Sequence, residues 1–284
     1  MAIFEDFLLT VDYDRTLTAP DSTIPQRNLE AISYFIENGG AFTVNTGRSV
    51  PMSQGELLNC VPVNVPLLLY NGSAGYEKEK NQLTQVCPID LDISVVEQLQ
   101  DRFPDLHVEV QAMDAHYLMH RDAGWEAYCE NNDCLWKYAK LQDIPGEFIK
   151  FTLYGQFREN TVASMYTVLP GELERIDEAV DFVRKTWGDK LEIFRSAPRI
   201  VDFHARGCSK RNAARALQKK LGRKWLVCVG DAQNDISMLD GADFAFCPGD
   251  AELADRYPNV CECEKGAVAD VIYKKIPEIL ANQP

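Results

Sequence analysis

Two carboxylates, Asp12 and Asp14, follow the apolar segment FLLTV near the start of the chain. Side chains of an extended strand alternate between its two faces. The two acids therefore either share a face or flank the point where a strand gives way to a loop. An isolated D-x-D is typical of a strand that ends in a polar turn. Its meaning depends on which other polar side chains the fold brings to the same place.

Polar side chains also follow the other strands that the sequence predicts. In an open parallel sheet, ligands bind outside the carboxyl ends of the strands. Lys210 begins the helix before the last of these strands, so its ammonium group can reach the same edge of the sheet. Four strand ends carry such residues: Asp12, Asp14 and Thr16; Asn45, Thr46, Gly47 and Arg48; Asn71 and Gly72; and Gly230, Asp231, Asn234 and Asp235.

Acids gathered at one edge of a sheet repel each other in a poorly solvated cleft unless a cation lies among them. A set of oxygen ligands favours Mg²⁺ over zinc, and Mg²⁺ commonly takes further ligands from a substrate phosphate. Thr46 and Lys210 add a hydroxyl donor and a cation that suit a tetrahedral anion. The pattern therefore favours phosphoryl transfer with Mg²⁺ as cofactor.

The two aspartates of the D-x-D suit different steps of such a reaction. A carboxylate can act as the nucleophile and form an aspartyl-phosphate. A second carboxylate can protonate the leaving alcohol and later deprotonate the attacking water. That second side chain must point at the substrate rather than at the metal, because a metal ion disfavours its protonated form.

The elements around these residues alternate between strand and helix at both ends of the chain. Apolar strands separated by amphipathic helices predict an α/β fold with a doubly wound, Rossmann-like parallel sheet. Between the two ends, hairpin-like strands and helices predict an inserted α+β cap domain. We therefore expect a core domain of residues 1–76 and 204–284 and a cap of residues 77–203. The predicted core elements are strands at 7–12, 41–46, 66–72, 225–231 and 243–247 and helices at 25–38, around 51–60, 209–221, 234–240 and 266–280.

Composition narrows the choice of partners and compartment. The net charge of −14 repels nucleic acid and anionic membranes. The longest apolar runs are about five residues, too short for a signal peptide or a membrane span. The nine cysteines are an odd number without an export signal, which predicts reduced thiols in a cytoplasmic protein. Cys261 and Cys263 lack a second pair at zinc-site spacing and are not expected to bind a metal.

An ordered set of short motifs runs along the chain with a long insertion before the lysine. The motifs are DYDRTL (12–17), NTGRS (45–49), YNGS (70–73), SK (209–210) and GDAQND (230–235). The set resembles the haloacid dehalogenase-like superfamily. It looks most like the Cof-type, sugar-phosphatase-like branch with a large inserted cap.

The resemblance implies a phosphatase of small phosphorylated metabolites, such as a sugar phosphate or a similar monoester. It implies that Asp12 is the nucleophile and a Mg²⁺ ligand, and that Asp14 is the general acid/base with its backbone carbonyl on the metal. Thr16 would fix the loop after the first strand. The other implied roles are metal binding by Asp231 and Asp235, phosphate binding by Thr46, Lys210 and Asn234, and a substrate border at Asn71 and Gly72.

Arg15 departs from the family pattern, which usually has glycine at that position. We expect a helical-like backbone at Arg15, with the guanidinium reaching outward to solvent or toward the cap. Our hypothesis is that Arg15 contacts the leaving group of the substrate or an acid on the cap.

The inserted domain is the expected lid and specificity element. Several of its side chains could face the substrate, although each is more typical of a fold or surface residue: Asp114, His116, His120, Trp125, Trp136, Arg195 and Arg199. Neither the substrate nor the oligomeric state follows from the sequence.

Two alternative functions stay open. A phosphomutase or phosphotransferase would pass the same aspartyl-phosphate to a sugar hydroxyl instead of water. A catalytically silent protein would only bind phosphorylated ligands. The presence of Asp14 argues against the silent protein, because binding alone needs no proton donor.

Overall fold

The computed structural model describes residues 2–131, 134–144, 147–155, 157 and 168–282. The chain forms two compact units. The first comprises Met1–Gly47, Cys60–Thr84 and Ser209–Pro284, and the second comprises Arg48–Asn59 and Gln85–Cys208.

The strands of the described residues are β1 Phe7–Val11, β2 Ala41–Val44, β3 Leu67–Leu69, β4 Ala74–Glu77, β5 Gln82–Val86, β6 Leu106–Gln111, β7 His116–Leu118, β8 Trp136–Tyr138, β9 Lys150–Gly155, β10 Leu191–Ala197, β11 Ile200–Ala205, β12 Trp225–Val229 and β13 Phe244–Phe246. The α-helices are α1 Gln26–Glu37, α2 Glu56–Cys60, α3 Ser94–Arg102, α4 Ala123–Asn131, α5 Glu172–Trp187, α6 Lys210–Leu221, α7 Ile236–Asp240, α8 Ala267–Asp270 and α9 Ile276–Ala281. None of the described helices is both long and apolar enough to cross a membrane.

The first unit is built on a parallel sheet in the order β13-β12-β1-β2. An isolated parallel bridge from Asn45 to Leu68 brings the end of β3 beside the end of β2. Leu8 of β1 packs with Ala214 and Leu217 of α6 on one face. Strand alternation directs its neighbours in β1 to the opposite face, and they are also buried. The predicted α/β fold class with a parallel, Rossmann-like sheet is confirmed.

Helix α6 has well-formed ends, and its start determines where Lys210 lies. Ser209 is the N-cap, and its side-chain oxygen accepts a hydrogen bond from the backbone N–H of Asn212 at 3.1 Å. Gly222 ends the helix in the left-handed conformation with φ of 65°. Lys210 is therefore held in the first helical turn.

The second unit is a six-stranded sheet in the order β10-β11-β9-β6-β7-β8, antiparallel except for the β7–β8 pair. One face is an apolar core in which Phe151 and Leu153 of β9 pack with side chains of α3 and α5. The alternate residue Tyr154 lies on the other face and stacks on Trp125 of α4, with ring centroids 4.3 Å apart. That second face also carries several buried polar side chains, among them Glu109, Lys150, Thr152 and Asp202.

Residues 48–59 belong to the second unit, for which two contacts give a reason. Met52 packs with Leu118 and Trp125, and the hydroxyl of Ser49 lies 2.7 Å from Nε2 of His116. The predicted domain bounds at 76/77 and 203/204 stay a prediction. The compact units differ from them chiefly in this segment and in assigning residues up to Thr84, within β5, to the first unit.

Two predicted helices differ from the observed structure. The helix expected around 51–60 is a 3-10 turn, Pro51–Ser53, followed by the short α2. The final helix is divided into α8, a π-helical turn at Val271–Lys275, and α9. Residue-level propensity does not fix such interruptions, because tertiary packing determines them.

Candidate active site

Three aspartates from two loops meet at the carboxyl end of the parallel sheet. The backbone N–H of Asp12 donates to the carbonyl of Val229 at 2.9 Å, which continues the pairing of β1 and β12 beyond the strands. Asp231 follows β12, and Asp235 lies in the 3-10 turn Gln233–Asp235. Carboxylate oxygens of these three buried aspartates lie within 4.8 Å of one another.

Lys210 is the cation that contacts this cluster. Its ammonium group donates to Oδ1 of Asp12 at 2.5 Å and to Oδ1 of Asp235 at 2.6 Å, and the side chain is buried. The other oxygen of Asp235, Oδ2, accepts hydrogen bonds from the backbone N–H groups of Asp231 and Ala232 at 3.0 and 3.2 Å. Asp235 is therefore fixed from both sides.

Two acids of the aspartate cluster, Asp12 and Asp231, have raised pKa values. Burial, followed by the negative charge of Asp235, raises the pKa of Asp12 to about 7, although Lys210 opposes the change. Burial and the charges of Asp12 and Asp235 hold the pKa of Asp231 well above its usual range. Burial alone would lower the pKa of Lys210, but Asp12 and Asp235 outweigh it and raise the pKa.

The cluster fits a hard divalent cation. It offers three carboxylates, and all of their ligand atoms are oxygens. The one lysine that contacts them cannot balance three negative charges. Such a donor set and charge are those that Mg²⁺ and similar cations prefer. Asp12, Asp231 and Asp235 are therefore the side chains that can hold a metal.

The side of the site formed by β2 and β3 is held mainly by backbone contacts. The N–H of Thr46 donates to the carbonyl of Leu68, and the N–H of Asn71 donates to the carbonyl of Thr46, both at 2.9 Å. Gly72 has φ of 89°, and a Cβ there would lie 2.5 Å from the carbonyl oxygen of Ser209. The predicted site residues Thr46, Asn71 and Gly72 are thus brought next to the start of α6.

Asn45 was placed at this edge of the sheet by the sequence, which assigned it no role. Its side-chain amide donates to the backbone carbonyl of Lys210 at 2.8 Å, in a fully buried position. It thereby links the end of β2 to the lysine that holds Asp12. The signal available in the sequence was its place immediately before Thr46 in the NTGRS motif.

The loop after β1 holds the remaining predicted residues of the DYDRTL motif. The hydroxyl of Thr16 donates to Oδ1 of Asp231 at 3.0 Å, so this loop is tied to the loop after β12. Asp14 is half-buried in the turn, and its charge also helps to raise the pKa of Asp12. Asn234 is half-buried beside Asp235 in the 3-10 turn.

The expected backbone conformation of Arg15 is wrong. Its φ is 57°, in the left-handed region, and the residue is exposed. The turn explains this conformation, because the N–H groups of Leu17 and Thr18 both donate to the carbonyl of Tyr13 at 3.0 Å. The N–H of Arg15 donates to Oγ1 of Thr18 at 3.1 Å. The proposed contact of Arg15 with a leaving group or a cap acid stays a prediction.

The side chains of the second unit that were considered for substrate contact each have partners within that unit. Such pairs are typical of side chains that stabilise a fold or lie on its surface. They do not test whether these side chains contact a substrate. The pairs are Arg199 with Glu172 at 2.5 Å, Trp125 with Glu109 at 2.6 Å, Asp114 with Lys137 at 3.0 Å, His120 with Gln100 at 2.8 Å, His116 with Ser49 at 2.7 Å, Arg195 with Asp177, and Trp136 with Tyr138.

A parallel sheet whose strand ends gather acids and a lysine is typical of an α/β enzyme that binds its ligand at this edge of the sheet. Comparison with known proteins is more specific. The model of the haloacid dehalogenase-like hydrolases matches residues 9–264. The chain therefore belongs to the haloacid dehalogenase-like hydrolase family. The predicted family and the predicted class of hydrolytic enzyme are confirmed.

Several relatives resemble the chain over nearly its whole length. It is 24% identical to an HMP-PP phosphatase of Serratia proteamaculans, with 92% of each chain covered. It is 23% identical to a 5-amino-6-(5-phospho-D-ribitylamino)uracil phosphatase of Bacillus subtilis, with 86% of this chain and 84% of the relative covered. A crystal structure of a haloacid dehalogenase-like hydrolase from Bacteroides thetaiotaomicron has a TM-score of 0.76 and 18% identity, covering 94% of this chain and 98% of that one.

Proposed function

We propose that the protein is a Mg²⁺-dependent phosphatase that hydrolyses small phosphorylated metabolites through an aspartyl-phosphate on Asp12. The observation that carries the proposal is the buried cluster of Asp12, Asp231 and Asp235 with Lys210 as the cation in contact. Two relatives named as phosphatases support the choice of a phosphoric monoester as substrate.

Asp12 would be the nucleophile in this reaction. Its carboxylate attacks phosphorus, the bond from phosphorus to the leaving oxygen breaks, and an acyl phosphate forms. Lys210 orients the carboxylate through Oδ1 and favours its ionised form. Asp12, Asp231 and Asp235, together with the backbone carbonyl of Asp14, would hold Mg²⁺. When bound, Mg²⁺ would supply positive charge to the transferring phosphoryl group.

Asp14 would carry the proton in both half-reactions. It gives a proton to the leaving alcohol, and the resulting carboxylate then takes a proton from the water that attacks the acyl phosphate. Phosphate is released and Asp12 is regenerated. Thr46, Lys210 and Asn234 would contact the phosphate, and Asn71 and Gly72 would border the substrate.

Replacing each aspartate of the D-x-D tests these roles. We expect Asp12→Asn to lower kcat by at least about 10³-fold on every substrate, since the nucleophile is removed. Asp14→Asn should lower phosphate release from a sugar phosphate far more than from p-nitrophenyl phosphate, because p-nitrophenolate leaves without needing a proton. The assay is phosphate release from a metabolite panel with and without Mg²⁺. Full activity of Asp12→Asn would refute its role as nucleophile.

The same panel separates the alternative functions. Isomer formation that exceeds phosphate release would identify a phosphomutase or phosphotransferase. Absence of turnover on every member of the panel, with phosphorylated ligands still bound, would identify a silent binding protein. The negative charge of the chain favours a small-molecule partner over nucleic acid or an anionic membrane, and a cytoplasmic location stays a prediction.

A further inference from the structure

A second group of metal-ligating side chains lies in the second unit, apart from the aspartates. It consists of His116, Cys129 and Cys134, which we call the thiol–imidazole cluster. All three residues are buried, and their ligand atoms lie within 4.8 Å of one another. The proposed phosphatase reaction uses none of them.

The local fold explains how these residues meet. Cys129 lies near the end of α4, and the N–H of Cys134 donates to the carbonyl of Cys129 at 2.8 Å. The N–H of His116, the first residue of β7, donates to the carbonyl of Leu135 at 3.0 Å. The fold therefore delivers Cys134 to the imidazole from one side, while α4 supplies Cys129.

We propose that the thiol–imidazole cluster binds Zn²⁺ through His116, Cys129 and Cys134. With Zn–S of about 2.3 Å and Zn–N of about 2.0 Å, a tetrahedral site places its ligand atoms about 3.5–3.8 Å apart. The ligand atoms lie within 4.8 Å of one another, so small side-chain rotations can bring them to these distances. Three protein ligands leave the fourth position to a water molecule.

The imidazole already has the partners that a metal-bound histidine needs. Nε2 of His116 lies 2.7 Å from the hydroxyl of Ser49, and Nδ1 lies 3.3 Å from Oε2 of Glu109. Nε2 keeps the hydroxyl of Ser49 as its hydrogen-bond partner, which leaves Nδ1, a buried atom that makes no hydrogen bond, to take the cation. Glu109 is itself held, because Nε1 of Trp125 donates to its Oε2 at 2.6 Å.

The donor types separate this site from the aspartate cluster. Thiolate and imidazole ligands select zinc or Co²⁺ and reject Mg²⁺, whereas carboxylates alone favour Mg²⁺. Binding displaces the protons of the thiols and of the ligating ring nitrogen to solvent, and no electron is transferred. The site is independent of the proposed phosphatase activity, and each can be present without the other.

Cobalt titration tests the proposal without using activity. The full chain, reduced and treated with a chelator that is then removed, is titrated with Co²⁺. We expect one equivalent to produce a thiolate-to-cobalt charge-transfer band and tetrahedral visible bands, which Zn²⁺ then abolishes and excess Mg²⁺ does not. Absence of the band at saturating Co²⁺ would overturn the proposal. Loss of the band on addition of Mg²⁺ would also overturn it.

Variants locate the site. Cys129→Ser and Cys134→Ser should each weaken Co²⁺ binding at least 10-fold, and Glu109→Gln should weaken it about 10–100-fold by removing the carboxylate beside Nδ1. Cys87→Ser, a cysteine of the same unit outside the cluster, is the matched control and should keep the wild-type spectrum. The Co²⁺ titration of the wild-type protein does not depend on the variants, so a variant that fails to fold does not affect that test.

Two further results would contradict a zinc site. An unchanged band in both cysteine variants would place the metal elsewhere. A disulfide between Cys129 and Cys134, found by peptide mapping after treatment with glutathione disulfide in a protein whose reduced form binds no Co²⁺, would instead identify the two cysteines as a disulfide pair.

Discussion

Buried acids behave in opposite ways in the two units. In the first unit, Asp12 and Asp231 are buried and their pKa values are raised, with burial as the largest cause. In the second unit, Asp202 and Glu109 are equally buried, yet their pKa values are lowered. Burial acts in the same direction in all four, so the difference lies in their partners.

The single negative charge of Asp202 is balanced by one cation and by hydroxyl groups that donate hydrogen bonds to it. Lys150 lies 3.3 Å from its Oδ1, and the hydroxyl of Thr152 donates to the same oxygen at 2.8 Å. Ser196 donates to its other oxygen. The aspartate cluster has the reverse balance, with three carboxylates around Lys210. Burial of an acid therefore does not by itself mark a functional site, whereas an uncompensated excess of buried acids calls for a cation.

Removing the lysine from each unit is the strongest test of this contrast. Lys210→Met and Lys150→Met should each lower the free energy of unfolding by about 3–5 kcal/mol, because each leaves a buried carboxylate without its cation. Saturating Mg²⁺ should recover much of the loss in Lys210→Met only. Urea unfolding with and without Mg²⁺ measures both effects, and an equal response of the two variants to Mg²⁺ would contradict the contrast.

Acid should weaken the second unit through His204. Burial, with the charge of Lys150, lowers the pKa of His204 to about 3 despite Asp202. An unfolded histidine has a pKa near 6.5, so the stability contributed by neutral His204 is present above pH 6.5 and is lost as pH falls toward about 3. We expect a loss of about 4–5 kcal/mol across this window, measured by urea unfolding. His204→Gln should flatten the loss, whereas His120→Gln should retain it.

The first unit should show a pH dependence of the opposite sign when metal is absent. The folded pKa of Asp12, about 7, exceeds the usual 3.8, so the folded state binds the extra proton and stability falls as pH rises through that window. A bound cation replaces the proton. The stabilisation by saturating Mg²⁺ should therefore grow by about 2 kcal/mol between about pH 5 and pH 8. Thermal unfolding measures it. The pH dependence of the Mg²⁺ effect should be smaller in Asp12→Asn, and an unchanged pH dependence in this variant would contradict Asp12 as a source.

Substitutions at two backbone positions with positive φ should change the stability of the protein least. Arg15→Gly in the first unit should raise stability by up to about 1 kcal/mol, because glycine adopts φ of 57° without strain. Gly171→Ala in the second unit should lower it by about 1 kcal/mol, since φ is 79° but no atom within 4 Å would meet a Cβ. Kinetics of Arg15→Gly also test the predicted substrate contact, which unchanged KM and kcat would exclude.

The sequence predicted the aspartate cluster because its members follow apolar strands in the order of a known motif set. Asp12 and Asp231 follow β1 and β12, which the apolar runs FLLTV and WLVCV reveal. The left-handed backbone of Arg15 was missed, since it depends on hydrogen bonds within one turn.

Other features depend on contacts between distant parts of the chain. Segment 48–59 joins the second unit through Ser49 and Met52, whose partners lie far away in sequence. The short β8, which was not predicted, pairs in parallel with β7 and has too few residues for a clear alternation. The thiol–imidazole cluster was missed for the same reason, because His116 and Cys134 come from separate elements with no metal-site spacing.

The central position of β1 affects how the chain folds while it is being made. Val11 of β1 pairs with Val229 of β12, which a ribosome adds 218 residues later. At about 5–20 residues per second, β1 waits roughly 10–45 s for that neighbour. The second unit ends at Cys208 and is complete before β12 is synthesised. During translation, the unit in the middle of the chain can therefore finish folding while one edge of β1, the edge that pairs with β12, is still without its neighbour.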